Sequence, residues 1–349
     1  MTAGAALFHL MTSEPMTTPP PIVHDLQTAH GSVYGQEERD AVLAVLDESA
    51  PTCNKRVAEF EAQFAEFCNT KYAVAVSSAT TGLMLAGIAL DIQAGDEVIT
   101  TPISWIATAN AFQLLGAKIR FCDVDARTMN LDPQALKKLI TPRTKAIVPV
   151  HLYGQCCDME AITDIANEAG IPIVEDCAHA PGAMFNGRMA GSFGAAGVFS
   201  FHQQKNLVTL GEGGMLTTSE DRIYARAMSY RSHCYRVYGS RHKFGGIDET
   251  EQPMGRRYWW QEFDDAGYNY RMTDIQAAVG SVQLAKLNAH NATRAELGHR
   301  LMQGIADVPT VVAPFVDQRA KHVFHLFLLL LQEDHPLGKD EFIWRMLHD

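Results

Sequence analysis

Two ionisable residues at the ends of apolar segments have the spacing of a cofactor site. Asp176 closes the strand-like run 171–176, and Lys205 follows 29 residues later, after the apolar run 197–201 and a polar turn. A lysine amine condenses with the aldehyde of pyridoxal phosphate (PLP), and a carboxylate keeps the ring nitrogen of PLP protonated, so that the ring withdraws electrons. The pair therefore predicts PLP chemistry, against the simpler interpretation of an exposed lysine and a helix-capping aspartate.

Further polar and aromatic residues follow the same pattern. His179 is predicted to hydrogen-bond the phenolic oxygen of the cofactor or to pack on its ring, unless it is an ordinary core histidine. The turn 77–81 places serine and threonine hydroxyls and free N–H groups at a helix start, which suits a phosphate, although such caps are common. Ser200, at a strand end, would add a phosphate contact, and Trp105 would stack on the pyridine ring unless it is a core tryptophan.

These residues require an alternation of strands and helices to position them, and the apolar periodicity predicts one. The predicted strands cover residues 72–77, 97–101, 118–122, 146–151, 171–175, 197–201 and 214–217, and the predicted helices cover residues 37–48, 56–68, 81–90, 108–115, 133–140, 160–169 and 274–305. Short buried strands joined by helices indicate an α/β fold with a largely parallel sheet. Ligands bind such sheets at the carboxyl ends of the strands, where Asp176, Ser200 and the turn 77–78 fall.

Composition limits the class of protein. The chain has 349 residues, of which 47% are hydrophobic, and this suits one large domain with a smaller one. A formal net charge of −11 argues against a nucleic-acid-binding protein, since phosphates must be neutralised by a surplus of Lys and Arg. The seven cysteines lack disulfide or metal spacing, which predicts reduced thiols, a cytoplasmic location and no metal site. No run reaches the ~20 apolar residues of a membrane span.

The predicted domain boundaries follow these patterns. Residues 1–21 are expected to be a disordered leader, residues 22–272 the large PLP-binding domain, and residues 273–349 a bridging helix with a small C-terminal domain. The chain stops after a predicted helix at 340–347 with no closing element, so the small domain is expected to be incomplete and the chain truncated. Residues 235–265, rich in Gly, Arg and aromatic residues, are expected to form a long functional loop.

Seven motifs, taken in their order along the chain, resemble the DegT/DnrJ/EryC1/StrS family of PLP-dependent sugar aminotransferases. The resemblance extends from residue 35 to residue 331. It rests on the turn 78–83, the stretch 101–110, His-Leu-Tyr-Gly-Gln at 151–155, Glu-Asp at 175–176 with His179, Ser-Phe-His at 200–202 before Lys205, the glycines of 211–214, and Gly-Tyr-Asn-Tyr-Arg at 267–271. None of these motifs is decisive alone, but together and in this order they are highly specific.

The resemblance implies both a fold and a set of residue roles. The fold would be an aspartate-aminotransferase-like (fold type I) PLP domain with a mostly parallel seven-stranded central sheet and a smaller C-terminal α/β domain. Lys205 would form the covalent aldimine with the cofactor and shuttle the proton of the reaction. Asp176 would hold the pyridine nitrogen, and His179 would lie near the phenolic oxygen. The implied cofactor contacts are Ser78, Ala79, Thr80, Trp105, Asp176, His179, Ser200, Lys205 and Asn269. Asn269 would reach the phosphate of a neighbouring subunit, so a homodimer would share the active site.

The implied reaction moves an amino group from glutamate to a keto group on a nucleotide-linked (deoxy)sugar, for amino-sugar or polysaccharide biosynthesis. The nucleotide diphosphate needs local positive charge despite the acidic composition. Candidate substrate contacts are Tyr153, Arg231, Arg256 and Arg257. For each arginine, a solvated surface charge is an equally good interpretation.

Departures and alternatives remain at the level of sequence. Ala79 stands where the family usually has glycine, which predicts a tighter phosphate turn. A sugar dehydratase of the same family would carry histidine where this chain has Lys205, so the lysine argues against that activity. A catalytically inactive or truncated family member is a second alternative. A nicotinamide enzyme is a weak third, because no G-x-G-x-x-G follows the first strand.

Overall fold

A computed structural model describes residues 31–48, 52–235 and 263–348 of the chain. The predicted leader lies outside the described residues, as do Arg256, Arg257 and most of the predicted long loop. Within the described part, the predicted alternation of strands and helices is confirmed, with element ends shifted by a few residues.

Two helices precede the first strand, α1 (Gln36–Leu46) and α2 (Lys55–Cys68). On α2 the apolar side chains recur every three or four residues, so Phe60 and Phe64 lie on one buried face. Phe64 packs edge-on against Phe199, with ring centroids 4.9 Å apart. The helix stops at Asn69, whose φ of 54° is the left-handed conformation typical of a helix end.

The structure describes nine strands before residue 273, outside its gaps at 49–51 and 236–262. They are β1 (Tyr72–Val76), β2 (Glu97–Thr100), β3 (Lys118–Phe121), β4 (Thr144–Val148), β5 (Val174–Asp176), β6 (Met184–Phe185), β7 (Arg188–Met189), β8 (Ala196–Ser200) and β9 (Gly214–Thr218). Sequence reasoning did not find the short β6–β7 hairpin, because two-residue strands carry no periodicity.

The long strands form two sheets, one of order β1-β9-β8-β5 and one of order β3-β2-β4. Two isolated parallel bridges, Ile147 with Ile173 and Val150 with Asp176, connect the sheets between β4 and β5. The pairs β2–β3, β2–β4 and β5–β8 are parallel, whereas β9 runs antiparallel to both of its neighbours. In the described residues these seven strands form a four-stranded and a three-stranded sheet, and not the single seven-stranded sheet that the resemblance implies.

Helices pack on both faces of this layer. They are α3 (Ala79–Ala89), α4 (Ala107–Gln113), α5 (Pro133–Leu139), α6 (Met159–Ala169) and α7 (Asp221–Arg231), the last of which the sequence analysis missed. Successive residues of β8 face opposite ways: Val198 contacts the layer of α3, and Phe199 contacts the layer of α2. The sheet is thus buried between two apolar layers, as its near-continuous hydrophobic strands predict.

The C-terminal part begins with α8 (Asp274–Gly304), a helix of 31 residues. Thr273 caps it, because the Gln276 N–H donates to the Thr273 hydroxyl at 3.3 Å. The buried Asp274 carboxylate accepts from the Asn54 and Val57 N–H groups at the start of α2. The helix predicted at 274–305 is therefore confirmed, and it is attached to the large part of the chain at its first turn.

Short strands and a final helix follow α8. Strand β10 (Val311–Val312) pairs with β12 (Leu330–Leu331), and β11 (Ala320–Lys321) pairs with β6, so the C-terminal part extends the small hairpin of the large part. The last helix, α9 (Lys339–His348), confirms the predicted helix at 340–347. Among the residues that the structure describes, no helix combines the length and the apolar composition needed to cross a membrane.

Candidate active site

Lys205 lies in the turn that follows β8. Its N–H donates to the His202 carbonyl at 2.8 Å, and Gly31 packs so closely that a Cβ there would lie 1.8 Å from the Lys205 carbonyl oxygen. Burial lowers the pKa of the lysine amine to about 8, and the Asp176 charge partly opposes this shift. An amine with a lowered pKa is more often unprotonated near neutral pH, so Lys205 has the properties of a nucleophile.

Asp176 ends β5 and is almost fully buried. The Thr108 hydroxyl donates to its Oδ2 at 2.7 Å, and the Ala178 N–H donates to its Oδ1 at 3.0 Å. Burial raises the pKa of the carboxyl, whereas these two hydrogen bonds and the charge of Lys205 lower it. No helix starts at Asp176, so the helix-cap interpretation of this residue is wrong. A desolvated, oriented carboxylate gains most from a cationic partner, which is the property that a pyridinium nitrogen requires.

His179 stands between two aromatic rings at the same site. Its ring centroid lies 4.4 Å from that of His325 and 6.3 Å from that of Tyr153. The Tyr153 N–H donates to His179 Nδ1 at 3.4 Å, and burial lowers the pKa of the imidazole to about 3. The ring is therefore neutral with its proton on Nε2, which leaves Nε2 as a hydrogen-bond donor.

Tyr153 has a left-handed backbone, with a φ of 57° inside the short 3-10 turn Leu152–Gly154. The turn is held by Asn130, whose side-chain oxygen accepts from the Leu152 N–H at 3.0 Å. Left-handed tyrosine costs free energy and is retained where the surrounding contacts require it. The turn places the Tyr153 ring nearly parallel to His179, so the proposed substrate contact and the proposed cofactor contact are neighbours.

The serine turn after β1 forms the start of α3. Ser78 accepts from the Thr81 N–H at 3.3 Å and is the N-cap residue of that helix. Strand pairing aligns Gly214 with Val76 on one side and with Ser200 on the other. The turn and the Ser200 hydroxyl are thus brought to one edge of the sheet, as expected for groups that share a phosphate.

Gly214 allows the serine turn at 77–81 to pack closely against the backbone of β9. A Cβ at Gly214 would lie 2.5 Å from the Ser78 carbonyl carbon and 2.7 Å from the Ala79 nitrogen. Glycine is therefore required at position 214 because a side chain would collide with the backbone of the turn, and not because the position needs a left-handed conformation.

Trp105 is 75% exposed, so the alternative interpretation of a core tryptophan is wrong. It precedes α4 in a segment that is tied to Asp176, because the Ser104 and Thr108 hydroxyls lie 2.7 Å apart and Thr108 donates onward to the carboxylate. Thr108 was predicted only as a helix start. Sequence reasoning missed its contact with Asp176, because the two residues are 68 positions apart.

Arg231 does not project toward the site. It is 2% exposed, and its Nη1 bonds to the Glu61 carboxylate and to the Ala75 carbonyl. Its predicted role as a substrate contact is therefore corrected to a buried ion pair under β1. The reason is that its helix, α7, turns it toward the interior rather than toward solvent. The other two predicted arginines, Arg256 and Arg257, lie outside the described residues.

Asn206 and His325 are two further residues that the sequence analysis did not assign. The Asn206 amide nitrogen donates to Val323 O at 3.0 Å and to Asn291 Oδ1 at 3.1 Å. Its oxygen lies 3.2 Å from His325 Nδ1. The residue after Lys205 is thus fixed by α8 and by the C-terminal part of the chain. The only signal in the sequence was the short His-Val-Phe-His run at 322–325.

Comparisons with known proteins agree with this geometry. The sequence model of the DegT/DnrJ/EryC1/StrS aminotransferase family matches residues 33–349. GDP-perosamine synthase of Caulobacter vibrioides is 40% identical over 308 residues, which cover 88% of this chain and 77% of that protein. The spore coat polysaccharide biosynthesis protein SpsC of Bacillus subtilis is 39% identical over 302 residues, covering 86% of this chain and 75% of that protein.

A solved structure shows the same likeness in three dimensions. The aminotransferase from Psychrobacter cryohalolentis superposes with a TM-score of 0.81 at 33% identity, covering 92% of this chain and 79% of that one.

Proposed function

The chain belongs to the DegT/DnrJ/EryC1/StrS aminotransferase family and is a PLP-dependent aminotransferase, and we propose that it transfers an amino group from glutamate to the keto group of a nucleotide-linked sugar. The observation that carries the proposal is the buried Lys205 amine, whose charge interacts with that of the buried Asp176 carboxylate, itself oriented by Thr108 and the Ala178 N–H. The names of the two curated relatives, one for a GDP-linked product and one for polysaccharide biosynthesis, support a sugar acceptor.

The residues present fit PLP. In the described part of the chain, no cation forms an ion pair with the Asp176 carboxylate, which instead accepts a hydroxyl and a backbone N–H. The Asp176 carboxylate would hold a protonated ring nitrogen, whose positive charge would compensate its desolvation. The neutral His179 would donate from Nε2 to the phenolic oxygen, and the exposed Trp105 indole would cover one face of the ring.

The phosphate would bind at the start of α3. Ser78, Ala79 and Thr80 supply hydroxyls and N–H groups at a helix N-terminus, where the helix dipole favours an anion. Ser200 reaches the same sheet edge through its pairing with Gly214. Ala79 in place of glycine is accommodated, because it forms the first residue of a regular helix.

When bound, PLP supplies an aldehyde that condenses with amines and a ring that takes up the electron pair left on carbon when a proton departs. Lys205 is the group that moves the proton. Its amine accepts the proton from the α-carbon of glutamate and later returns one to the carbon that becomes the amino-bearing carbon of the sugar. Asp176 holds the proton on the ring nitrogen throughout, since the buried carboxylate is stabilised by that positive charge.

We propose a homodimer in which Asn269 reaches the phosphate of the neighbouring subunit. Asn269 is exposed in the single chain and is held by its backbone bridge to Ser232. The exposed apolar side chains of Trp105 and Ile106 flank the site. A second subunit that covers this edge would bury them and complete the phosphate contacts.

Tyr153 is the described residue that we propose as a contact with the sugar, because its half-buried ring lies beside His179. Arg256 and Arg257 remain proposals for the diphosphate. Both have charge of the right sign, and both fall in the segment 236–262, outside the described residues.

The experiment that tests the function is an amino-transfer assay on the purified holoenzyme. Glutamate is supplied with a panel of nucleotide-linked keto-sugars, GDP-linked ones included, and products are identified by mass. We expect an amino sugar from at least one member of the panel and 2-oxoglutarate in equal amount. Release of 2-oxoglutarate without any aminated sugar would retain the glutamate half of the proposal and reject the sugar half.

The Lys205→Ala variant tests the residue that carries the proposal. We expect it to lose the covalent cofactor adduct that borohydride fixes in the parent protein, and to lose amino transfer with it. Lys321→Ala, a surface lysine in β11, is the matched control and should behave as the parent does. Transfer by Lys205→Ala at the parental rate would overturn the assignment.

A further inference from the structure

Glu175 and Asp176 are adjacent in β5, so their side chains point to opposite faces of the sheet. The Glu175 carboxylate is completely buried. Its Oε1 accepts from the N–H groups of Phe193 and Gly194 at 2.7 and 2.8 Å, and its Oε2 accepts from the Gly191 N–H at 2.8 Å. A buried charge with this many donors is stabilised locally and fixes the loop that donates to it.

His151 supplies the fourth contact to this carboxylate. Its Nε2 lies 3.0 Å from Glu175 Oε2, and its Nδ1 accepts from the Cys157 N–H at 3.1 Å. Burial lowers the pKa of the imidazole, whereas the Glu175 carboxylate beside Nε2 raises it. The Cys157 N–H requires a lone pair on Nδ1, so the geometry places the single ring proton on Nε2, facing the carboxylate.

The backbone of His151 contacts Asp176 directly. The His151 N–H donates to the Asp176 carbonyl at 3.0 Å, and the Asp176 N–H donates to the Pro149 carbonyl at 2.9 Å. These bonds continue the parallel alignment of β4 with β5 beyond the last residue of β4. The side chain and the backbone of His151 therefore fix both sides of the same strand end.

The three side chains of His151, Glu175 and Cys177 have ligand atoms within 4.8 Å of one another, which is also compatible with a metal ion. Two observations favour hydrogen bonding instead. Both Glu175 oxygens already accept two hydrogen bonds each, and burial raises the pKa of Cys177 well above its usual value, so that it stays a thiol. The cluster acts as a closed set of hydrogen bonds.

We propose that His151 and Glu175 are positioning residues for the cofactor: together they hold the end of β5 so that the Asp176 carboxylate meets the ring nitrogen of PLP. This rests on the role of Asp176 under the proposed function. Neither residue touches the cofactor, and both act through the strand and the loop 191–194 that their side chains connect.

The test distinguishes the hydrogen bond at His151 Nε2 from the hydrogen bond at His151 Nδ1. His151→Asn keeps an acceptor near the position of Nδ1 and loses the donor to Glu175, whereas His151→Gln places an amide nitrogen near the position of Nε2 and keeps that donor. Thr100→Val is the matched control, because it removes another buried bond to β4, from the Thr100 hydroxyl to Val148 O at 2.8 Å, without contacting Glu175. Each holoenzyme is measured for PLP dissociation and for the pH at which the absorption of the bound cofactor changes.

We expect His151→Asn to bind PLP about tenfold more weakly, with the spectral transition moved to higher pH. The transition reports protonation of the Lys205 nitrogen that is bonded to the cofactor. A positive charge on the ring nitrogen disfavours this protonation, so a ring nitrogen that loses its proton more easily would raise the pKa of the Lys205 nitrogen. His151→Gln and Thr100→Val should stay close to the parent in both measurements. Should His151→Asn not fold, Glu175→Asp, which draws the carboxylate back from His151, takes its place with the same expectation.

A folded His151→Asn with the parental dissociation constant and spectral transition overturns the positioning role. Asp176→Asn, measured beside it, shows which proposal has failed. If Asp176→Asn weakens PLP binding and shifts the spectrum but His151→Asn does not, only the positioning role is lost. If neither variant changes either measurement, the proposed role of Asp176 is lost as well.

Discussion

The Thr108 hydroxyl donates to Asp176 Oδ2 at 2.7 Å, between the first turn of α4 and the end of β5. Both side chains are buried, and the carboxylate has only the Ala178 N–H as a further donor that the structure describes. A hydrogen bond to a buried carboxylate favours its charged form, so Thr108 opposes the effect of burial on the pKa of Asp176. The helix after Trp105 thereby takes part in setting the charge state of the group proposed to hold the ring nitrogen.

Thr108→Val, which keeps the shape and removes the hydroxyl, is expected to weaken PLP binding by about tenfold, the usual worth of one hydrogen bond to a charged group. PLP dissociation followed by absorbance measures the effect. Thr293→Val, which removes an exposed hydroxyl on α8, is the control and should change nothing. An unchanged dissociation constant in Thr108→Val would show that Asp176 does not need this donor.

The fold was predictable where local patterns are strong. The strand at 197–201 was predicted from its continuous apolar run. The helix at 274–305 was predicted from its length and from the capping residue Thr273 at its start. Helix α7 was missed, since it starts after Glu220 without a side-chain cap bond and carries charges on most of its turns. Its position is decided by tertiary packing, such as the stacking of Tyr224 on Tyr72.

The candidate site was predictable for residues that stand in motifs and not for residues that depend on distant partners. Lys205 and Asp176 stand beside strand ends, where parallel sheets bind ligands. Arg231 was assigned to the substrate because its charge fitted a diphosphate, yet its partner Glu61 lies 170 positions away and no local pattern indicates that contact. The sequence shows which charges a chain has, and only the packing shows which of them are already paired.

The lowered pKa of Lys205 predicts a pH dependence for cofactor loading. The amine is protonated and unreactive below its pKa, so the rate of adduct formation with PLP should rise with pH and level off above about 8, whereas an unshifted lysine would keep gaining until about 10.5. Apo protein is mixed with PLP at each pH, and the adduct is trapped with borohydride and measured by mass.

Asp176→Asn is the informative comparison for this profile. The negative charge of Asp176 raises the pKa of Lys205 against the effect of burial, so its removal should move the midpoint to lower pH. A midpoint near the ordinary lysine value in the parent protein would show that the amine is not desolvated.

The buried pair of Arg231 and Glu61 predicts a loss of stability that is separate from catalysis. Arg231→Met leaves the Glu61 carboxylate without its cation and should lower the free energy of unfolding by about 3–5 kcal/mol. The double variant Glu61→Gln/Arg231→Met should lose less than the sum of the single changes, since it leaves no unpaired charge. Urea unfolding of the apo protein measures both. Lys137→Met, in a pair that is 61% and 70% exposed, should cost less than about 1 kcal/mol.

Gly214→Ala tests the approach of the phosphate turn to β9. The added Cβ would lie 2.5 Å from the Ser78 carbonyl carbon and 2.7 Å from the Ala79 nitrogen, so the start of α3 must move away from Ser200. We expect PLP to bind at least about tenfold more weakly, and pyridoxal, which lacks the phosphate, to react with Lys205 at nearly the parental rate. Gly304→Ala, at the end of α8 with no atom within 4 Å of the added Cβ, is the control. Equal losses for PLP and pyridoxal in Gly214→Ala would mean that the substitution disturbs Lys205 and not a phosphate contact, which would contradict this prediction.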